Sequence, residues 1–215
     1  MLLSLTKVTP ARGRGRPIPL IPSHIALLIG IVSSFSNELS WAAENQSSER
    51  SASILSAKSL LQTTVWGDVA ARHQLDPYVL YAVALIESKN HHQKNKVTPW
   101  PWALNHAGKA IITTNKQDAI IQLKQLLKEG NRNVDIGIMQ VNLRWHGHRV
   151  DKPEQLLDPT TNLEIGAELL AKAIQSSPDN FALGVGRYYN WKNIPAAIEY
   201  GQNVINLAAH IRTII

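Results

Sequence analysis

The 215-residue chain has no cysteine, which excludes a disulfide framework and any thiolate metal site and leaves the apolar core alone to hold the fold. It has no apolar run approaching the roughly 20 residues that a membrane-spanning helix requires; the run Ile25–Val32 is far shorter. Beyond the first forty residues there is no Lys/Arg cluster with interleaved aromatics, so nucleic acid is not expected as a partner. No internal repeat is present, which sets aside solenoid architectures. His91-His92 and His146-x-His148 are the only histidine clusters. With no cysteine and no helical i, i+4 histidine pair beside them, neither a metal nor any other cofactor is expected.

The amino terminus reads as an export signal. Met1–Pro22 carries Lys7, Arg12, Arg14 and Arg16 with no acid, Ile25–Val32 is apolar, and Ser40 and Ala42 are small. A positive region, a short apolar run and small residues describe a secretory signal peptide. Residues 1–42 are therefore expected to direct export to the periplasm, with cleavage after Ala42 and no transmembrane helix in the processed chain. Removing them takes away four bases and one acid, Glu38, so the net charge falls from +6 to +3. A mildly basic remainder suits an anionic polymer. Residues 43–59 are polar and serine-rich, a linker composition, and 60–215 are long enough for one domain with a sizeable core.

Within that domain the pattern is mostly helical. Short helices are expected over Val65–Leu75 and from Asp76-Pro77 onward, where Asp can accept from free backbone N–H groups and Pro suits the first helical position. A hairpin is expected around Trp100–Thr114, the only strand pair, and a helix over Lys116–Glu129 capped by Asn115 and ended by Gly130. Asp158-Pro159 repeats the Asp-Pro start, with Leu163, Ala167, Leu170 and Ile174 on the core face. Ser177-Pro178 opens a further helix through Tyr189. Pro195 opens the last, with Ile198, Val204, Leu207 and Ile211 inward. Glu164, Glu168 and Lys172 fall at helical spacing and read as a solvated face. The fold class is mainly α (α+β) with a small β-hairpin.

Two kinds of residue carry candidate chemistry. Glu87 ends the apolar run Tyr78–Ile86, in the last turn of its helix, where the negative end of the helix dipole and apolar neighbours both disfavour ionisation. A carboxyl kept partly protonated near neutral pH suits general-acid work on a glycosidic oxygen; a solvated carboxylate at a helix end is the alternative. Gln140 and Asn142, Tyr188-Tyr189-Asn190, and Tyr200 each set hydrogen-bonding groups among residues fit for a core. Buried amides and phenols need partners, either within the protein or as sugar hydroxyls and N-acetyl groups in a cleft.

The order of these features, Glu87-Ser88, Gly137-Ile-Met-Gln140, Tyr189-Asn190 and Tyr200 with Val204 four residues on, resembles the lytic transglycosylases with a goose-lysozyme-like catalytic domain. Asp135 before Gly-Ile-Met-Gln-Val-Asn, and Asp158-Pro-x-x-Asn-Leu-x-x-Gly-Ala167, extend the match from about Trp66 to Leu207. Asp135-Ile-Gly with Gln140-Val-Asn142 is similar to the specialised members that accompany secretion, pilus and conjugation machines. The resemblance implies a lysozyme-like helical domain that cuts the β-1,4 bond between N-acetylmuramic acid and N-acetylglucosamine in peptidoglycan, leaving a 1,6-anhydromuramic end. It implies Glu87 as acid and then base, and Ser88, Met139, Gln140, Asn142, Tyr189, Asn190 and Tyr200 around the substrate, with no metal. A lysozyme-like hydrolase using Asp135 to poise water, or a non-catalytic peptidoglycan-binding assembly factor, are the alternatives.

The sequence departs from that family in two places. Tyr188 stands where a small residue usually precedes Tyr-Asn, so packing behind the cleft should differ. Residues 97–130 read as an insertion, whose Trp100 and Trp102 either stack on sugars or form its own core.

Overall fold

Short capping signals fix where the helices start. The computed structural model describes residues 61–88 and 97–215; the export signal, its cleavage point, the polar linker and His91-His92 lie outside the described residues. In chain order the elements are α1 (Val65–Arg72), α2 (Pro77–Ser88), β1 (Ala103–His106), β2 (Lys109–Ile112), α3 (Lys116–Lys128), β3 (Val134–Ile136), β4 (Val141–Asn142), α4 (Leu143–His146), α5 (Pro159–Gln175), α6 (Phe181–Gly186) and α7 (Ile194–Ile214). Asp76 accepts from the N–H groups of Tyr78 at 2.8 Å and Val79 at 3.3 Å, as the Asp-Pro start of α2 predicts. Asn115 accepts from Asp118 N–H at 2.9 Å, Asp158 from Thr161 N–H at 2.9 Å and Asn193 from Ala196 N–H at 3.2 Å. Each side chain satisfies a donor that the first helical turn leaves free.

The four strands form one antiparallel sheet in the order β2-β1-β3-β4, with Leu104 opposite both Ile111 and Ile136, and Ile136 opposite Val141. The expectation of a single strand pair is thus corrected. The run 134–142 contains a reversal, because Gly137 at φ 82° and Gln140 at φ 48° turn the chain back on itself, and its two halves pair. Gly137 tolerates that conformation freely, whereas a side-chain-bearing residue such as Gln140 needs compensating contacts.

Helix α2 lies at the centre. Tyr78, Val79, Leu80, Ala82, Val83 and Ala84 are all buried, packed against α1 and α7, so its apolar run serves a helix enclosed on nearly every side. The sheet contributes Leu104, Ile136 and Val141 to the same core, and α5 contributes Leu163, Ala167 and Leu170. Two expectations fail at the carboxyl-terminal end. Helix α6 covers only Phe181–Gly186 because Asn180, not Ser177, supplies its cap at 2.9 Å. Ile198 faces outward at 38 % exposure, while Val204 and Ile211 are buried. Helices α6 and α7 approach closely enough that a Cβ on Gly186 would lie 1.7 Å from the Ala197 carbonyl oxygen, and one on Gly201 would lie 1.9 Å from that of Ala182.

The face of α5 expected to be solvated is partly exposed, and its charges are also paired. Glu164 meets Arg72 and His73, and Glu168 is shared between Arg149 at 2.8 Å and Lys172 at 2.5 Å. Such partly exposed pairs contribute at most about 1 kcal/mol each.

Candidate active site

Helix α2 ends by delivering Glu87 beside α7, where the Tyr200 hydroxyl donates to Glu87 Oε1 at 2.5 Å. Burial is the main cause that raises the Glu87 pKa to about 7; the Tyr200 hydrogen bond opposes it and the negative charge of Asp135 adds to it. The direction expected from a carboxyl at an apolar helix end is the direction found. Burial, together with the neighbouring Glu87 charge, holds the Tyr188 and Tyr200 phenols well above their ordinary range, so both are hydrogen-bond donors at any working pH. Tyr189 stacks flat on Tyr200, with ring centroids 5.1 Å apart and planes 6° from parallel. One face of the tyrosine that holds Glu87 is thereby fixed.

The reversal between β3 and β4 is set by Asn162 of α5, which is fully buried. Its Oδ1 accepts from Met139 N–H and its Nδ2 donates to the carbonyls of Ile136 and Leu156, each at 2.8 Å. Gly137 is required there because a Cβ would lie 2.5 Å from Asn162 Nδ2, and Gly166 is required because a Cβ would lie 2.5 Å from Met139 Cβ. Gln140 Nε2 donates to the carbonyls of Gly137 at 2.8 Å and Ala103 at 3.1 Å, tying the reversal to β1. Tyr188 adds a clamp by donating to the Met139 carbonyl at 2.7 Å. The two motifs are thus joined through Tyr188.

An open cleft of about 800 Å³ runs over these groups, within the size range of ligand sites. Glu87, Asp135, Gln140, Asn142 and Tyr189 line it, and Tyr200 is brought in through Glu87 and Tyr189. Four expected roles are corrected or narrowed. Met139 is fully buried, so its side chain packs in the core and does not line the cleft. Ser88 is buried, donating to the Ala84 carbonyl at 2.8 Å and accepting from Trp100 N–H at 2.9 Å; it fastens the chain at Trp100 to α2 and is not free for a substrate. Asn142 uses Oδ1 to cap α4 and Nδ2 to bind Asp135 Oδ1 at 2.7 Å and Asn133 Oδ1 at 2.9 Å, so its amide braces the wall. Asn190 Oδ1 accepts from the N–H groups of Lys192 and Asn193 at 3.0 and 2.9 Å, shaping the turn into α7.

Of the two readings of Trp100 and Trp102, packing within the protein is the one found. Trp100 and Trp102 pack edge to face at 5.1 Å, with Trp100 Nε1 donating to Thr113 O at 2.8 Å, as part of the structural packing. The cleft is lined instead by Trp145 and Trp191, which are 64 % and 57 % exposed. Both stood one to three residues after a motif residue, Asn142 and Asn190, and that adjacency was the available signal. Among the described residues no group of three or more His, Asp or Glu side chains is placed to hold a metal ion.

A protonatable carboxyl held by a tyrosine, at the floor of a polar and aromatic cleft in a helical domain with a small antiparallel sheet, defines a lysozyme-like enzyme acting on glycosidic bonds. Residues 64–206 match the family model described as Transglycosylase SLT domain, and the chain belongs to that family. It is a peptidoglycan lytic transglycosylase, a glycosidic-bond lyase, whose substrate places its action outside the cytoplasm. No curated protein and no solved structure matches the chain. Among the described residues no helix is long and apolar enough to cross a membrane.

Proposed function

We propose that the protein cuts the β-1,4 bond between N-acetylmuramic acid and N-acetylglucosamine with Glu87 acting alone, first as acid and then as base. The observation that carries this reading is the Glu87 carboxyl at a pKa of about 7, held by the Tyr200 hydroxyl at 2.5 Å. Glu87 gives its proton to the leaving glycosidic oxygen as the bond to the anomeric carbon breaks. The resulting carboxylate, stabilised by Tyr200, then takes the proton of the muramic C6 hydroxyl while that oxygen closes on the anomeric carbon. Glu87 ends protonated, and the product is a 1,6-anhydromuramic end. The intramolecular hydroxyl takes the place of water with the advantage of proximity, and a pKa near neutrality suits a group that must both give and take a proton. Gln140, Tyr189 and Asn190 contact the sugars; Ser88, Met139 and Asn142 hold the walls in place.

A hydrolytic reading is favoured by one observation, that Asp135 lines the same cleft and raises the Glu87 pKa. In that case Asp135 would activate water in the two-carboxylate manner, although its carboxylate already accepts from Asn142. Mass analysis of muropeptides released from purified sacculi decides: anhydro ends support the lone-acid cycle, and reducing muramic ends overturn it. Glu87→Gln is expected to lower release by about 10²–10⁴-fold. Unchanged release would remove Glu87 from its role, and binding without any wild-type cleavage would favour an assembly factor.

The biological setting is part of the same proposal. Residues 1–42 act as the export signal, cleaved after Ala42, and the domain works in the periplasm. Asp135-Ile-Gly and Gln140-Val-Asn142 support local wall opening for a secretion, pilus or conjugation complex, with residues 97–130 as the insertion that distinguishes this member. Co-purification of the processed protein with such a complex tests the association.

A further inference from the structure

The three tyrosines around Glu87 are used in different ways. The Tyr188 hydroxyl donates to the Met139 carbonyl and the Tyr200 hydroxyl to Glu87 Oε1, whereas the Tyr189 hydroxyl has no hydrogen-bond partner among the described residues. What Tyr189 offers the protein is its ring, 5.1 Å from the Tyr200 ring and 6° from parallel to it. Nearly parallel rings at that spacing form an offset stack, an attractive arrangement.

An exposed side chain holds another in place only if its own backbone is fixed, and here it is. Tyr188 N–H donates to the Val185 carbonyl at 3.1 Å, and the N–H groups of Tyr189 and Asn190 both donate to the Gly186 carbonyl at 3.0 Å. Asn190 Oδ1 closes the turn that follows, and the Tyr188 clamp pins the residue before. Although 60 % exposed, Tyr189 therefore rides on a fixed stretch of chain. Tyr200 instead carries its hydroxyl at the far end of a side chain with two rotatable bonds. Its ring packs against the core, and a stack on its face opposes rotation. Small rotations would carry the hydroxyl off Glu87, because hydrogen bonds weaken steeply with angle and distance.

We infer that Tyr189 is a positioning residue for the acid: its ring holds the Tyr200 hydroxyl on Glu87, in addition to the contact that Tyr189 makes with sugar. This rests on the proposed role of Glu87 as proton donor. The effect must pass through the Tyr200 hydroxyl and must need a flat ring rather than the hydroxyl of Tyr189. The other groups that share charge with Glu87 are Asp135 of β3 and Tyr188. A change at Tyr189 leaves both in place, so a shift in the pH profile reports on the Tyr200 bond.

The test is the pH profile of muropeptide release by the full-length protein carrying Tyr189→Leu, Tyr189→Phe, Tyr200→Phe, or Tyr189→Leu with Tyr200→Phe. Leu keeps apolar bulk without a flat face, and Phe keeps the face without the hydroxyl. Tyr189→Leu should lower kcat by about 3–10-fold and move the alkaline limb of kcat/KM upward by about half a pH unit, because a loosened donor stabilises the carboxylate less. Tyr189→Phe should bring both back toward wild type. In the Tyr200→Phe background, Tyr189→Leu should change kcat by less than about twofold, as expected when one residue acts through another. Additive losses overturn the proposal. So does a raised KM with an unmoved limb, which makes Tyr189 a sugar contact alone, and so does a limb that moves downward, which makes it a shield against water. Reducing muramic ends from wild type, or unchanged release by Glu87→Gln, would sink the lone-acid reading instead, and both are read without any change at Tyr189.

Discussion

The Tyr200 hydroxyl donates to Glu87 Oε1 at 2.5 Å although 113 residues separate them. This bond lowers the pKa of a carboxyl that burial raises, and the balance leaves Glu87 titrating near neutrality. Its removal should therefore show in the pH profile as well as in the rate.

For Tyr200→Phe, the Glu87 pKa rises further because its carboxylate loses a donor. The protonated acid then persists to higher pH, so the alkaline limb of kcat/KM moves upward from about pH 7. The rate should fall by about 10–100-fold, since a hydrogen bond to a charged group contributes about 1.5–3 kcal/mol. Muropeptide release measured from pH 5 to 9 checks both. A lower rate with an unmoved limb would mean that Tyr200 only packs.

Glu87 also makes stability depend on pH. Its folded pKa of about 7 exceeds the ordinary 4.5, so between those values the native state binds the extra proton and stability falls as pH rises. The loss is complete above pH 7 and amounts to about 3 kcal/mol. Glu87→Gln should be more stable than wild type at pH 8 by up to about that amount and nearly equal at pH 4. Urea denaturation at the two pH values measures the difference.

Asn162→Ala removes three hydrogen bonds to the β3–β4 reversal at once and leaves buried backbone groups unpaired. A loss of roughly 3 kcal/mol or more is expected, together with weaker activity, because Gln140 is placed by the same reversal. Denaturation and muropeptide release measured on one preparation test the pair; full stability would mean that water replaces the amide.

Gly186→Ala forces α6 and α7 apart, since its Cβ would meet the Ala197 carbonyl at 1.7 Å. Overpacking of this kind costs about 1–3 kcal/mol. Because Tyr188 and Tyr189 follow directly and Tyr200 lies on α7, activity should fall by more than the stability loss explains. A thermal melt beside an activity assay below the melting range separates the two effects.

Some of the molecule is readable without coordinates because its causes are local. Asp76-Pro77, Asn115 and Asp158-Pro159 announce helix starts through side chains that reach donors two or three residues away, and Glu87 at the end of an apolar run already has a raised pKa. Motif order also singled out Gln140, Tyr189 and Tyr200. The roles of Ser88, Met139 and Asn142 were not readable, because a polar or apolar residue beside a motif is equally suited to cleft or core. Only the packing of α2 against Trp100, of Met139 against Gly166, and of Asn142 against Asp135 decided for structure. Residues 134–142 look like one apolar stretch until Asn162, far along the chain, folds them into two strands.

What the sequence by itself determined was the helical frame, the family and the carboxyl with a raised pKa, since each depends on neighbouring residues or their order. The tertiary structure alone decided which side chains face the cleft and the grip of Tyr200 on Glu87. Burial, pairing and electrostatic potential arise from groups distant in the chain, and no local pattern records which of them meet.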